Sequence, residues 1–164
     1  MKKIYVILVI ALLFAGCTID KEPHIKSAMF QSVSAQEATL TQSGKDKESC
    51  VRCGMNLIRY YKTSHAAEDE KRHYQYCSIH CLEDHLGEGV TLKNPKVVDV
   101  DSLKFIPVSD AYYVVGSNIR GTMTRVSKYA FLNRSMAKEF QDKYGGEIMS
   151  FKGALEVTKK DFKR

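Results

Sequence analysis

Residues 73–87 read His-Tyr-Gln-Tyr-Cys-Ser-Ile-His-Cys-Leu-Glu-Asp-His-Leu-Gly, and the periodicity changes inside this stretch. Residues 73–76 have the aromatic-rich, alternating character of a strand, whereas residues 78–86 place Ile79, Leu82 and Leu86 at helical spacing and stop at Gly87. A strand that turns directly into a short helix, with Cys77 and Cys81 at the junction, organises everything around it.

Working outward, residues 57–62 read as a preceding strand and residues 97–106 as a following strand region. The same order then recurs. Residues 111–116 and 123–131 read as strands, residues 134–144 as an amphipathic helix with Met136, Ala137 and Phe140 inward, and residues 147–151 as a last strand. Asn133 is a suitable N-cap for that helix, and Gly145-Gly146 a suitable stop. Each half thus runs strand, strand, helix, strand, with Tyr60-Tyr61 and Tyr112-Tyr113 in similar places. The expected fold class is α+β, with halves of about 50–107 and 108–164 that each form a small sheet carrying one helix.

The composition agrees with a folded body. Of 164 residues, 44% are hydrophobic and 27% charged, with only ten Gly and three Pro, which excludes disordered and fibrous classes. The formal charge of +6 is scattered, without a basic run or aromatic-interleaved motif, so nucleic acid is not an expected partner.

The N-terminus has a different character. Lys2 and Lys3 precede twelve uninterrupted apolar residues, 4–15, and then Gly16-Cys17. Twelve residues are too few to span a bilayer, which needs about 20, so residues 1–16 read as a secretory leader. Phe14-Ala15-Gly16-Cys17 resembles a bacterial lipobox, although Leu is usual where Phe14 stands. On that reading Cys17 carries lipid and becomes the first mature residue, and Thr18, not Asp, at the next position points to the outer membrane rather than the inner. Residues 18–49 are mostly polar without a sustained period, so residues 17–49 read as a lipid-anchored tether, on which residues 24–30 could still pack onto the body.

Four Cys then remain, as Cys50-x-x-Cys53 and Cys77-x-x-x-Cys81, with Met55 completing Cys53-Gly54-Met55. A body of this size does not need a disulfide or a metal merely to fold, so the pairs call for a chemical explanation. A C-x-x-C turn can aim two sulfurs at one ion, and positions i and i+4 share one helix face, which His85 extends and which His80 approaches. Three outcomes stand open: two disulfides, a closed tetrahedral zinc site, or Cu(I), a soft ion that selects thiolate and thioether. Met55 favours Cu(I) only in part. Met123, in Gly121-Thr122-Met123 at an expected strand start, reads equally as ligand or as core, whereas Met29, Met136 and Met149 read as core or surface.

The lipobox, Cys50-x-x-Cys53-Gly54-Met55, the segment Tyr76-Cys77-Ser78-Ile79-His80-Cys81, Ala111-Tyr112-Tyr113-Val114-Val115-Gly116-Ser117, Gly121-Thr122-Met123, and Lys143-Tyr144-Gly145-Gly146-Glu147 followed by Phe151 together resemble the NosL family of nitrous oxide reductase accessory lipoproteins. That resemblance implies a periplasm-facing, lipid-anchored Cu(I) chaperone that serves assembly of the copper-sulfide centre of nitrous oxide reductase. It implies two ββαβ halves related to organomercurial lyase, and it carries Cys53, Met55 and Met123 over as ligand candidates. The Cys77/Cys81 pair exceeds that pattern and is similar to the heavy-metal modules called TRASH or YHS, so a zinc-stabilised module is the alternative, with Cys50, Cys53, Cys77 and Cys81 as ligands. No hydrolase, Walker or dinucleotide motif is present, and a thiol-disulfide oxidoreductase built on Cys50 and Cys53 would lack the βαβ context it needs. The expectation is a metal carrier, not an enzyme.

Overall fold

The computed structural model of the chain describes residues 29–161; the leader, Cys17 and its lipobox lie outside the described residues. The first half contributes β1 (His65–Glu68), β2 (His73–Tyr76), α1 (Ile79–Gly87), β3 (Lys93–Val98) and β4 (Phe105–Pro107). The second contributes β5 (Tyr112–Val115), β6 (Lys128–Phe131), α2 (Arg134–Tyr144), β7 (Glu147–Met149) and α3 (Phe151–Asp161). The strands form an antiparallel four-stranded sheet in the order β2-β1-β3-β4 and an antiparallel three-stranded sheet in the order β6-β5-β7. Mixed helix and sheet in two small layers is the α+β class that the hydrophobic patterning implies.

Several elements differ from their sequence reading. Residues 57–62 are not a strand: turns lead into a 3₁₀ turn at Tyr61–Thr63, and the strand begins at His65. Tyr61 therefore belongs to a turn while Tyr113 belongs to β5, so the two tyrosine pairs are not equivalent. Residues 97–106 divide at a turn into β3 and β4, which pair with each other. Residues 123–127 lie outside any strand, and only Lys128–Phe131 forms β6. After β7 the chain forms a helix, α3, which aligns Ala154 and Thr158 on a buried face one turn apart.

One apolar cluster joins the halves. Ile79 of α1, Val97 of β3, Ile106 of β4, Tyr113 and Val115 of β5, Ala130 of β6 and Ala154 of α3 belong to one cluster. Full burial of side chains such as Val97 and Val115 contributes about 1.5–3 kcal/mol each. A second cluster beneath α1 contains Leu57, Tyr76, Leu82 and three of the cysteines, and a third packs Ala137 and Phe140 of α2 against Val114, Tyr129 and Phe131. Gly146 permits the close return of the chain after α2: a Cβ there would stand 2.8 Å from the Val115 carbonyl oxygen.

The described part of the expected tether, residues 29–49, is packed onto the body. Phe30 meets Tyr129 edge-on, the Thr39 amide donates to the Tyr61 hydroxyl at 3.0 Å, and the Thr41 amide donates to the Gln75 side chain at 2.9 Å. No helix among the described residues is long and apolar enough to cross a membrane.

Candidate metal centre

Two local structures bring the cysteines together. In the first, residues 50–55 make a tight turn: the Gly54 amide donates to the Cys50 carbonyl and the Cys50 amide to the Met55 carbonyl, each at 2.9 Å. Gly54 adopts a φ of 73°, a left-handed conformation that a side chain resists, which is why the residue between Cys53 and Met55 is glycine. The Val51 amide fastens this turn to β2 through the Gln75 carbonyl, and Arg52 fastens it to α1 through Asp84 and Glu88.

The second is the junction of β2 with α1. Cys77 immediately follows the strand, Ser78 is the N-cap, and Cys81 falls in the first turn. Both sulfurs therefore sit at the positive end of the helix dipole, where developing thiolate charge is favoured. The Thr63 hydroxyl holds the Cys77 carbonyl at 2.8 Å.

The four sulfurs of Cys50, Cys53, Cys77 and Cys81 all lie within 4.8 Å of one another. Cys53 is 3.5 Å from Cys77 and 3.6 Å from Cys81, and Cys77 is 3.7 Å from Cys81. All four are free thiols, three buried and Cys53 exposed. Hydrogen bonds from Cys77 and Cys81 hold the Cys50 thiol far below its usual range, and the same sharing pushes Cys77 and Cys81 up.

His80 and His85 are not among the grouped ligand atoms. His85 is spoken for: its Nδ1 lies 2.8 Å from the Tyr76 hydroxyl, and its ring stands edge-on to Tyr74.

The two methionine candidates lie together. Met55 and Met123 line one cleft of about 680 Å³, whose walls also include Met29, Phe30, Tyr60 and Thr122. Met123 is 39% exposed and adopts a φ of 48°, so the core reading fails: the loop turns it outward. Buried Thr122 anchors that loop by a 2.8 Å bond to Thr63, the residue that also holds Cys77.

The sequence pattern of the NosL family matches residues 41–159. The chain belongs to the NosL family. Among solved structures it is similar to the crystal structure of the copper chaperone NosL from Shewanella denitrificans, at 21% identity and a TM-score of 0.53, covering 68% of this chain and 94% of that one. At that identity the likeness establishes the fold, and the protein it describes is a copper chaperone. A comparison with curated proteins gives no significant match.

Within this NosL-family chain, the sequence pointed to the cysteine quartet by its spacing, to Met55 by its place beside Cys53, and to Met123 as ligand or core alike until the family resemblance carried it over. It missed Met29, 26 residues upstream in a polar stretch, and it missed the supports Arg52 and Thr63, because their partners are separated from them in sequence.

Proposed function

We propose that this chain is a lipid-anchored Cu(I) chaperone that faces the periplasm and delivers copper for assembly of the copper-sulfide centre of nitrous oxide reductase. Cys50, Cys53, Cys77 and Cys81 supply thiolates, and Met55 and Met123 supply thioethers in the adjoining cleft. The observation that carries this reading is the convergence of four free thiol sulfurs within 4.8 Å, with one member, Cys53, open to solvent. Soft sulfur ligands select a soft monovalent ion. A carrier must also give its cargo up, and an exposed thiolate lets a partner's ligand enter before the buried ligands leave. Lipid on Cys17 would confine the search for a partner to a membrane surface, the outer membrane by the residue at position 18, and raise encounter rates there. The body then comprises residues 50–164 in two ββαβ-based halves, related in fold to organomercurial lyase.

A specific observation favours a second reading, a resident zinc ion at the quartet. Zinc bound tetrahedrally at about 2.3 Å from sulfur sets neighbouring sulfurs roughly 3.8 Å apart, and the three spacings of 3.5, 3.6 and 3.7 Å approach that value. On this reading the quartet stabilises the fold as in TRASH or YHS modules, and the thioether cleft alone meets copper.

Anaerobic purification from the periplasm, metal analysis and Cu(I) titration against a coloured chelator separate the two. One equivalent of Cu(I) held by the reduced protein and lost in Cys53→Ser supports the chaperone reading. Zinc alone, in an amount that does not respond to copper supply, overturns copper ligation by the quartet.

A further inference from the structure

Between the Cys77–Cys81 turn and the Met123 loop lies a small polar cavity lined by Thr63, Ser78, Ile79, Thr122, Thr124 and Lys128, with room of about 10 Å³ for the centre of a water molecule. That is the space one water requires, and the remaining requirement is two to four polar partners.

The partners are present. Ser78 is 3% exposed, and its hydroxyl has no hydrogen-bond partner among the described residues; as N-cap of α1 it makes no side-chain cap bond. Lys128 is buried, and its ammonium group has three protons but, among the described residues, two acceptors, Asp161 Oδ2 and Thr124 Oγ1, each at 2.8 Å. The Thr63 and Thr122 hydroxyls share one hydrogen bond at 2.8 Å, and in either direction of donation the Thr122 oxygen keeps a lone pair to offer. A buried hydroxyl and a buried ammonium proton without partners each cost free energy that a bridging water removes.

We propose that one buried water molecule binds in this cavity, accepting from Lys128 and bridging the Ser78 hydroxyl to Thr122. It joins the first turn of α1, which bears Cys77 and Cys81, to the loop that bears Met123, so the two sulfur-bearing segments share a floor. The proposal does not depend on which metal the protein carries.

The sign of one substitution tests it. In the reduced, metal-free chain, Ser78→Ala removes an orphan hydroxyl if the cavity is dry, and the melting temperature then stays or rises. With the water bound, the same change strips one of its partners and lowers the melting temperature by about 2–4 °C. Thr122→Val supplies the second arm. No direct hydrogen bond joins Ser78 to Thr122, so non-additive losses in a double-mutant cycle of the two changes support a bridging molecule, and additive losses overturn it. A crystal structure that resolves ordered solvent gives an independent reading. A peak about 2.7–3.2 Å from Ser78 Oγ and from Lys128 Nζ is the expected result, and a featureless cavity overturns the proposal.

Discussion

Arg52 spans from the Cys50–Cys53 turn to Asp84 on α1, its Nε and Nη2 both bonded to Asp84 Oδ2 at 2.9 and 2.7 Å. The turn that supplies two thiols is thereby tied to the helix that positions the other two. Both partners are partly open to solvent, so the bridge is a positional restraint more than a large source of stability. Arg52→Ala is expected to leave the unfolding midpoint within about 1 kcal/mol of the parent and to weaken Cu(I) binding by up to tenfold. Chelator competition alongside urea denaturation checks both halves of that statement.

Cys53 and Cys77 separate affinity from folding. Cys53 is exposed and Cys77 fully buried, so Cys53→Ser is expected to keep the fold while lowering Cu(I) affinity by more than the 10- to 100-fold typical of losing a supporting group. Cys77→Ser buries a stronger hydrogen-bonding group among apolar neighbours and is expected to lose both binding and about 1–3 kcal/mol of stability. Circular dichroism melting of the metal-free variants distinguishes them.

Met123→Leu addresses the thioether cleft. Because Met123 is well exposed, the change should alter stability by less than about 0.5 kcal/mol while reducing affinity for Ag(I), a redox-inert mimic of Cu(I), several-fold. Unchanged Ag(I) affinity in both Met123→Leu and Met55→Leu would remove the cleft from the ligand set.

The buried ion pair of Lys128 with Asp161 makes a stability prediction with a built-in control. Both side chains are 1% exposed, and Asp161 also accepts from Thr124 and from the amides of Arg125 and Val126. Burial works against the charge on Asp161, yet Lys128, Thr124 and the Val126 amide together hold its carboxyl below the ordinary value, while burial depresses Lys128. Lys128→Met leaves that carboxylate without a counter-charge and should cost about 3–5 kcal/mol, whereas Lys128→Met with Asp161→Asn should recover part of the loss. Denaturant midpoints of the two variants make the comparison.

His65 gives the fold a pH dependence. It is wholly buried between the Thr63 carbonyl and the Tyr113 hydroxyl, and burial holds its pKa down at about 4. The unfolded chain binds a proton near pH 6.5 and the folded chain does not until about pH 4, so stability falls with acidity across that window, by roughly 3 kcal/mol in all. His65→Gln should flatten this part of the stability profile, even if the variant is less stable at neutral pH. Urea midpoints measured from pH 7 to pH 4 test the slope.

The two first helices and the cysteine quartet were legible because each rests on local spacing: Ser78 with Gly87, Asn133 with Gly145, and two short cysteine intervals. Strand β1 was not, since His-Ala-Ala-Glu has no alternation and both Ala66 and Ala67 are buried by neighbours far along the chain. Helix α3 hid behind a lysine-rich surface and an interior Gly153, and only its packing on α1, β5 and β7 gives Ala154 and Thr158 a buried face. The Lys128–Asp161 pair was invisible for a simpler reason: 33 positions separate two charges that look solvated in the sequence.

The stitches made by residues 39–42 have a mechanical consequence. Thr41 and Gln42 both bond Gln75 in β2, two residues before Cys77, and the Thr39 amide bonds Tyr61. Tension that reaches residue 39 is therefore passed to the strand that leads into the thiol-bearing turn. A pull from further upstream meets the second sheet first, because Phe30 is seated against Tyr129 of β6, and it loads the sulfur cage only once that contact has yielded.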